Sequence, residues 1–334
     1  MKEIKIGNKK IGKDDPCFVI AEAGINHNGD FSIAKKLVDA AAEANADAVK
    51  FQTFKSEDVV INKLNQTEII RKFELKYEDF RKLKKYCDNK KIIFLSTPHT
   101  YNAIDFLDEL VPAYKFGSGD LTNLPALEHA ANKQKPIILG TGMSNLKEIK
   151  EAIRSIKKTK NNKIIALHCT TQYPCPYQEV NLNAMVKMQK ELDCMVGYSD
   201  HTLDITVPIM AATLGAVVIE KHLTLDRNME GPDQKASLEP HEMKKMIKEI
   251  RNVKIALGNA SKKPTESENK IKKMVRKSLV SKININKGTK ITKDMIDIKR
   301  PGTCIEPAYM EKIIGKKAKK DIKKDELIKK YMVE

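Results

Sequence analysis

The sequence lacks several features that would place it in a special class of protein. It contains no tryptophan, an absence that excludes nothing by itself, and only 5% of its 334 residues are aromatic. No segment approaches the ~20 uninterrupted apolar residues of a membrane helix, and the N-terminus has no apolar core of a signal peptide. The six cysteines include no Cys-x-x-Cys pair, and Cys17 and Cys169 lie in apolar runs that suit core thiols. We therefore expect a soluble, cytoplasmic protein with reduced thiols.

Positive charge is in excess, with 61 Lys and Arg against 44 Asp and Glu and a net charge of +17. Residues 261–334 hold 22 basic and 10 acidic residues, so +12 of this excess lies in the last quarter of the chain. That quarter has almost no aromatic side chains on which nucleic-acid bases could stack. We favour a lysine-rich solvated surface over a nucleic-acid-binding surface, and we expect no nucleic-acid partner.

Short apolar runs alternate with amphipathic helical stretches up to about residue 257. Near-continuous apolar strands that alternate with helices indicate a parallel sheet buried on both faces. Eight such units within ~250 residues predict a (β/α)8 TIM barrel, and a doubly wound open sheet is the alternative. The eight runs are residues 17–25, 48–54, 92–98, 113–119, 136–142, 164–170, 195–200 and 217–225.

The pattern predicts two domains, with residues 1–260 as the barrel. Residues 261–275 are polar and are predicted to form a linker. Residues 276–334 contain short strand-like runs separated by Lys-Gly and Pro-Gly turns, which predict a small β-rich domain. Because about 60 residues make a small core, we expect this domain to lean on another surface.

Polar residues follow every predicted strand at its C-terminal end, the face on which barrel enzymes build their active sites. Turn chemistry does not require lysines, carboxylates and histidines at these places, so we expect an enzyme rather than a binding module that uses the basic tail. The members of this ring are Glu22, Lys50, Gln52, Ser96, Thr97, Lys115, Ser118, Thr141, Ser144, His168, Thr170, Asp200, His201, Glu220 and His222.

Two lysines of the ring, Lys50 and Lys115, stand near the hydroxyls of Thr97, Ser118 and Ser144. Lysine supplies point charge, while hydroxyls and the amides of glycine-rich loops supply directed donors, so the group predicts a site for a phosphate. An ion pair inside the barrel is the alternative for each lysine. Either lysine could instead be the Schiff-base nucleophile of an aldolase, which requires a depressed pKa.

His201 and His222 end adjacent predicted strands, so their imidazoles can converge. Two histidines with open positions suit a divalent metal that also binds water and a substrate carbonyl. The surrounding hard oxygens favour Mn2+, with Mg2+ or Co2+ as alternatives. Glu22, at the end of the first strand, is a candidate general base for water, and an ion pair with Lys50 is compatible with that role.

Nine blocks of the sequence resemble the sialic acid synthases, or more broadly the nonulosonic acid synthases. They run from residue 21 to residue 303, and the tail resembles the antifreeze-like SAF domain of that family. The blocks are AEAGINHNGD, KFQTF, FLSTP, YKFGSGD, TGMSN, LHCTTQYPCP, VGYSDHT, IEKHLTLDRNMEGPDQKASLEP and IKRPGT.

The resemblance implies that phosphoenolpyruvate (PEP) condenses with an N-acyl hexosamine such as N-acetylmannosamine, with loss of phosphate by C–O cleavage. It implies that His201 and His222 hold Mn2+, that Glu22 is the acid/base, and that the enzyme is a domain-swapped homodimer. The residues implied for PEP are Lys50, Thr97, Lys115, Ser118, Ser144 and Thr171, and those implied for the amino sugar are Gln52, Tyr173, Asp233 and Arg300 of the partner subunit.

Two positions depart from the pattern of the family. Thr171 stands where some members have asparagine, and Cys304 takes a place in the small residue and Gly that usually follow the KRPG block. Three blocks, KFQTF, TTQYP and EKHLTLDR, are closer to members that make legionaminic acid. An N,N'-diacetyllegionaminic acid synthase or another nonulosonic acid synthase is therefore the alternative to a sialic acid synthase, and a Schiff-base pyruvate aldolase is a more remote one.

Overall fold

Strands with almost wholly buried side chains dominate the first part of the chain. The computed structural model describes residues 3–61 and 66–334, and it divides into two compact units between Gly258 and Asn259. The strands of the first unit are β1 (Ile4–Ile6), β2 (Lys9–Ile11), β3 (Phe18–Gly24), β4 (Ala48–Thr53), β5 (Ile93–Pro98), β6 (Tyr114–Phe116), β7 (Ile137–Gly140), β8 (Ile164–His168), β9 (Met195–Asp200) and β10 (Val218–His222).

Eight of these strands form one sheet in the order β5-β4-β3-β10-β9-β8-β7-β6, in which neighbouring strands run parallel. The end strands β5 and β6 pack beside each other, so the sheet curls into a barrel. The predicted (β/α)8 fold is confirmed, and each predicted strand is present. β6 is shorter than predicted because the chain turns into a 3-10 helix at Ser118–Asp120.

The helices bury the apolar stripe that the sequence periodicity predicts. In the seventh helix, Asn145 and Glu148 form a capping box, and Ile149, Ile153 and Ile156 are buried on one face. Among the described residues, no helix is both long and apolar enough to cross a membrane. The helices of this unit are α1 (Phe31–Glu43), α2 (Ser56–Val59), α3 (Gln66–Arg71), α4 (Tyr77–Asn89), α5 (Tyr101–Leu107), α6 (Leu124–Asn132), α7 (Leu146–Lys158), α8 (Tyr177–Val180), α9 (Leu182–Glu191), α10 (Thr206–Thr213) and α11 (Pro240–Leu257).

An N-terminal hairpin, which the sequence analysis does not predict, covers one end of the barrel. β1 and β2 pair across a two-residue turn in which Gly7 has φ +56°, a conformation that glycine adopts without strain. Ile6 and Ile11 of the hairpin pack with Phe18 and Val218, the first residues of their strands. Since this end is filled by apolar side chains, a substrate must reach the interior from the C-terminal ends of the strands.

The second unit, residues 259–334, begins with α12 (Glu266–Val275), which occupies most of the predicted linker. A capping box of Thr265 and Glu268 starts this helix. β11 (Ser278–Ser281) and β12 (Ile296–Lys299) then form an antiparallel pair. The expectation that this domain also leans on another surface stays a prediction. The unit buries a cluster of its own: Leu279, Ile285, Ile291, Ile296, Ile305, Ile313, Ala318, Ile322, Ile328, Met332 and Val333.

Candidate active site

Four charged side chains lie buried together at the C-terminal ends of the barrel strands. Lys50 Nζ is 2.8 Å from Glu22 Oε2 and 3.9 Å from Glu220 Oε2. Lys115 Nζ is 3.2 Å from Glu220 Oε1, which also accepts a hydrogen bond from Ser199 Oγ at 2.9 Å. None of the four charged side chains is more than 5% exposed. Two cations and two carboxylates thus share a site from which bulk water is excluded.

The alternation of side chains along β4 explains how an apolar strand delivers a lysine to this site. Val49 and Phe51 pack into the core between sheet and helices, so Lys50 and Gln52 point to the other face, the inside of the barrel. The register of β3 and β4 places Lys50 opposite Glu22. Neighbouring strands lie about 4.8 Å apart, and this pairing therefore forms the ion pair.

The two glutamates have opposite pKa shifts. Burial raises the pKa of Glu22, the charge of Glu220 raises it further, and the attraction of Lys50 only partly offsets these effects. Burial also favours the neutral form of Glu220, but Lys115 and Lys50 outweigh burial and lower the pKa of Glu220. Glu22 is consequently able to hold or release a proton near neutral pH, whereas Glu220 stays ionised. The sequence analysis places Glu220 among the polar residues at the strand ends but gives it no role. Its contact with both lysines depends on the packing of the strands, which the sequence pattern does not show.

A second group, beside the four charges, consists of small polar atoms around Gly142. Gly142 N donates to Ser118 Oγ at 2.9 Å and to Cys169 Sγ at 3.2 Å, and Ser144 Oγ donates to Gly142 O at 3.2 Å. A Cβ on Gly142 would lie 2.2 Å from Thr171 Oγ1, so only glycine fits here. Cys169 is buried, as predicted, but it contacts polar groups rather than the apolar core. The sequence signal for this polar environment is that Cys169 directly follows β8, at the strand end where the predicted polar residues lie.

Thr97, one of the hydroxyl residues predicted for a phosphate, contacts a lysine directly, because its Oγ1 accepts a hydrogen bond from Lys50 Nζ at 3.0 Å. Lys115 and Ser118 are close in the sequence: β6, which carries Lys115, ends at Phe116, and the 3-10 helix begins at Ser118. The residues predicted for a phosphate therefore lie on neighbouring strand ends. Their hydroxyl, amide and ammonium donors suit an anion.

His201 and His222 lie side by side, with ring centroids 5.6 Å apart. His201 Nδ1 lies 2.6 Å from the carbonyl oxygen of Thr170, so it carries the proton and leaves Nε2 with a free lone pair. His222 Nδ1 is buried and has no hydrogen-bond partner among the described residues. Burial lowers the pKa of His222 to about 4 and lowers that of His201, so both rings are neutral at pH 7.

Neutral imidazoles with free lone pairs fit a divalent metal, and the unpartnered Nδ1 of His222 is the observation that favours one. Asp233 Oδ2 lies 3.7 Å from that nitrogen. Within residues 3–61 and 66–334, no three His, Cys, Asp or Glu side chains already converge as a complete ligand set. The two histidines would therefore leave several coordination positions for water or substrate.

The residues of the first unit that are predicted to bind the amino sugar lie near Glu22 and near the two histidines. Gln52 Nε2 donates to Glu22 Oε1 at 3.4 Å. A Cβ on Gly24 would approach Glu22, Gln52 and Asp233 within 3.2 to 3.6 Å, so these three side chains converge. The Tyr173 ring lies 4.1 Å from that of His201 and is 40% exposed, so it borders the open side.

Arg300 is the one predicted site residue in the second unit, where it follows β12 and has a half-buried proline after it. Ser278 Oγ donates to the carbonyl oxygen of Pro301, and Cys304 N donates to Ser278 Oγ at 2.9 Å. The departure at Cys304 is therefore accommodated by a backbone hydrogen bond that any residue could make. The twelve other predicted residues lie on the C-terminal strand ends and loops of the first unit.

Comparisons with known proteins give the family of this chain. A family model described as the NeuB family matches residues 37–262, and a SAF domain model matches residues 276–334. The chain is 46% identical to an uncharacterized protein of Methanocaldococcus jannaschii over 98% of both chains. It is 44% identical to the N,N'-diacetyllegionaminic acid synthase of Campylobacter jejuni, over 93% of this chain and 98% of that one.

A solved structure also resembles this chain. It is described as N-acetylneuraminic acid (sialic acid) synthetase from Leptospira borgpetersenii in complex with citrate, and it matches with a TM-score of 0.76 and 36% identity over 80% of this chain and 94% of that chain. The resemblance predicted from the sequence blocks is confirmed. This chain belongs to the NeuB family, the nonulosonic acid synthases, and carries a SAF domain in residues 276–334.

Proposed function

We propose that this protein condenses PEP with the open-chain aldehyde of an N-acyl hexosamine and releases phosphate. The observation that carries the proposal is the buried group of Glu22, Lys50, Lys115 and Glu220, next to a pair of neutral histidines. In this reaction C3 of PEP bonds to the aldehyde carbon, water adds at C2, and the C2–O bond to phosphate breaks.

Lys50 and Lys115 would bind the anionic groups of PEP. Without substrate, Lys115 pairs with Glu220 at 3.2 Å, and Lys50 pairs with Glu22 at 2.8 Å and lies 3.9 Å from Glu220. Thr97 Oγ1 and Ser118 Oγ accept hydrogen bonds from Lys50 Nζ and Gly142 N, so their hydroxyl protons can be donated to the substrate anion. Because the lysines are already held in place by carboxylates, little side-chain entropy is lost when the substrate binds.

Glu22 would take the proton of the water that adds to C2. Its raised pKa makes the carboxylate a stronger base than an ordinary glutamate, and Lys50 and Gln52 hold it from two sides. The proton can later pass from Glu22 to the departing phosphate. Proton uptake and release then occur at one carboxyl group, and bulk water is not needed.

His201 and His222 would hold a divalent metal, for which we propose Mn2+, with Mg2+ or Co2+ as alternatives. When bound, such an ion polarises the aldehyde oxygen as negative charge develops on it. Thr170 fixes the tautomer of His201 through its carbonyl oxygen. Asp233 faces His222 and Glu22, so it can orient a hydroxyl of the sugar beside the reacting aldehyde.

The identity of the sugar is the finer part of the proposal. The 44% identity to an N,N'-diacetyllegionaminic acid synthase, together with the three legionaminic-like blocks, favours a 2,4-diamino sugar with two N-acetyl groups. The 36% identity to a structure described as a sialic acid synthetase keeps N-acetylmannosamine as the second candidate. A Schiff-base aldolase is disfavoured, because the carboxylates raise the pKa of Lys50 despite its burial, whereas a nucleophilic lysine must be neutral.

Phosphate release tests the reaction. The protein is incubated with PEP, Mn2+ and a panel of N-acyl hexosamines, and the product is identified by mass spectrometry. We expect phosphate only when PEP and a suitable sugar are both present, and Glu22→Gln should abolish it while the exposed Glu109→Gln does not. Consumption of free pyruvate with a borohydride-trapped adduct would instead support the aldolase.

We also propose a domain-swapped homodimer in which Arg300 of the partner subunit reaches the N-acyl group. In support, α12 leaves Ile271, Met274 and Val275 exposed within its own unit. Mixing inactive Glu22→Gln and Arg300→Ala chains, with subunit exchange, tests the swap. One site of each mixed dimer then contains both native residues, and about a quarter of the parent activity should return. A mixture that stays inactive, or a monomer in sedimentation, contradicts the swap.

A further inference from the structure

A buried ion pair lies on the outer face of the sheet, behind the two histidines. Lys221 Nζ is 2.5 Å from Asp200 Oδ2, and both side chains are 0% exposed. The register of β9 and β10 places Lys221 opposite Asp200 and Glu220 opposite Ser199. Because side chains alternate along a strand, Glu220 and His222 face the barrel interior while Lys221 faces the opposite side.

Neighbouring polar groups hydrogen-bond to both members of this ion pair. Lys221 Nζ also donates to the carbonyl oxygen of Thr202. Thr202 Oγ1 donates to Asp200 Oδ2 at 2.8 Å, and the hydroxyl of Tyr198 donates to Asp200 Oδ1 at 3.0 Å. No polar atom of these side chains lacks a partner, in contrast to His222 Nδ1 and Glu220 Oε2. Because the network is buried on the outer face of the sheet, we expect it neither to bind a ligand nor to contact the reacting atoms.

The network joins residues that are direct neighbours of the two histidines in the sequence. Lys221 immediately precedes His222, whereas its two partners, Asp200 and Thr202, are the residues on either side of His201. β9 ends at Asp200, so the backbone of His201 lies just beyond the ladder of β9 and β10, and its carbonyl oxygen accepts a hydrogen bond from Cys175 N at 2.8 Å. In addition to the backbone ladder of β9 and β10, the ammonium group of Lys221 thus ties the segment around one histidine to the strand that carries the other.

We propose that Lys221 is a positioning residue that fixes the spacing of the His201 and His222 imidazoles for a divalent metal. The inference rests on the proposed function, which gives these histidines a metal to hold. Metal donors must be held to within about 0.5 Å of their working geometry. Loss of a supporting contact behind a ligand typically weakens metal binding by about ten- to a hundredfold.

Two variants separate positioning from general stability. Lys221→Met alone would leave the Asp200 carboxylate buried and unpaired, so it is combined with Asp200→Asn, which removes both charges. Tyr198→Phe is milder and removes only one hydrogen bond to Asp200. Its matched control is Tyr114→Phe, since the buried Tyr114 hydroxyl donates to Asp108 Oδ1 at the same 3.0 Å, far from the histidines in the order of strands.

Mn2+ affinity of the substrate-free protein is measured by electron paramagnetic resonance, and thermal unfolding is measured in parallel. We expect the double variant to bind Mn2+ about ten- to a hundredfold more weakly than the parent. Tyr198→Phe should bind several-fold more weakly, and Tyr114→Phe should keep the parent affinity despite a similar loss of thermal stability. If the double variant does not fold, the two tyrosine variants decide.

Three results would overturn the proposal, and a fourth would refute the metal role on which it rests. Parent-like Mn2+ affinity in a folded double variant overturns the proposal, and so does parent-like affinity in Tyr198→Phe when the double variant does not fold. Equal weakening in Tyr198→Phe and Tyr114→Phe also overturns it, because the effect is then one of stability. A parent protein that binds neither Mn2+, Mg2+ nor Co2+ refutes the metal role within the proposed function, which is a different failure.

Discussion

His27 gives the structure a stability that depends on pH. Its ring is fully buried, its Nδ1 accepts a hydrogen bond from Gly29 N at 3.0 Å, and its Nε2 has no partner among the described residues. Burial lowers the pKa of His27 to about 4 from an ordinary value of 6.5. A proton on Nδ1 would face an amide hydrogen and break this bond, so the folded protein keeps the ring neutral.

The unfolded chain takes up a proton at His27 below about pH 6.5, whereas the folded chain does so only below about pH 4. Between these values the unfolded state binds more protons, so the free energy of unfolding falls as the pH falls. At about 1.4 kcal/mol per pKa unit, the total loss from His27 is about 3 kcal/mol. By pH 5.5, about 1.4 kcal/mol of it is already lost.

Urea denaturation at pH 7.5 and pH 5.5 measures this effect in the parent and in His27→Gln. The variant loses the aromatic contact with Phe51 at both pH values, and the other histidines titrate in both proteins. Only the difference between the two pH dependences therefore reports on His27. We expect the parent to lose about 1.4 kcal/mol more than the variant. An equal loss in both proteins refutes the reasoning.

Three further predictions concern the candidate site. Gly142→Ala puts a Cβ 2.2 Å from Thr171 Oγ1. The KM for PEP, measured in steady-state assays, should therefore rise at least about tenfold. An unchanged KM would contradict the assignment of this loop to the phosphate of PEP. Glu220→Gln leaves Lys115 without its 3.2 Å carboxylate partner and should lower the free energy of unfolding by about 3 kcal/mol in urea, an effect that added inorganic phosphate should reduce. EDTA should abolish phosphate release and Mn2+ should restore it; undiminished turnover in EDTA would exclude the metal role.

The site residues illustrate how far the sequence pattern leads. Glu22, Lys50 and His222 could be placed at strand ends because each follows or interrupts an apolar run of strand length. Their mutual distances could not be predicted, because they depend on which strands are neighbours. β3 and β10 are the first and last barrel strands in the sequence, yet their register places His222 beside Glu22.

Two local features were missed although the sequence contains their signals. The Thr265-to-Glu268 spacing is that of a capping box, which indicates that the predicted linker begins a helix. Ile4, Ile6 and Ile11 flank the Gly7 turn in a lysine-rich segment, and they form the hairpin only because the open end of the barrel offers them an apolar surface. Isolated two-stranded hairpins are marginal in water, so the barrel itself stabilises this one.

The sequence by itself determined the eight barrel strands, their alternation with helices and the chemical types of residue at each strand end, because hydrophobic periodicity and side-chain alternation are local properties. Only the tertiary structure decided which of those residues act together. Closure of the sheet places Glu220 between Lys50 and Lys115 and buries all three, and the charges of the two lysines then lower the pKa of Glu220. It also puts Lys221 behind the two histidines, where its side chain can join segments twenty residues apart. Such couplings depend on distances in space, and periodicity along the chain does not encode them.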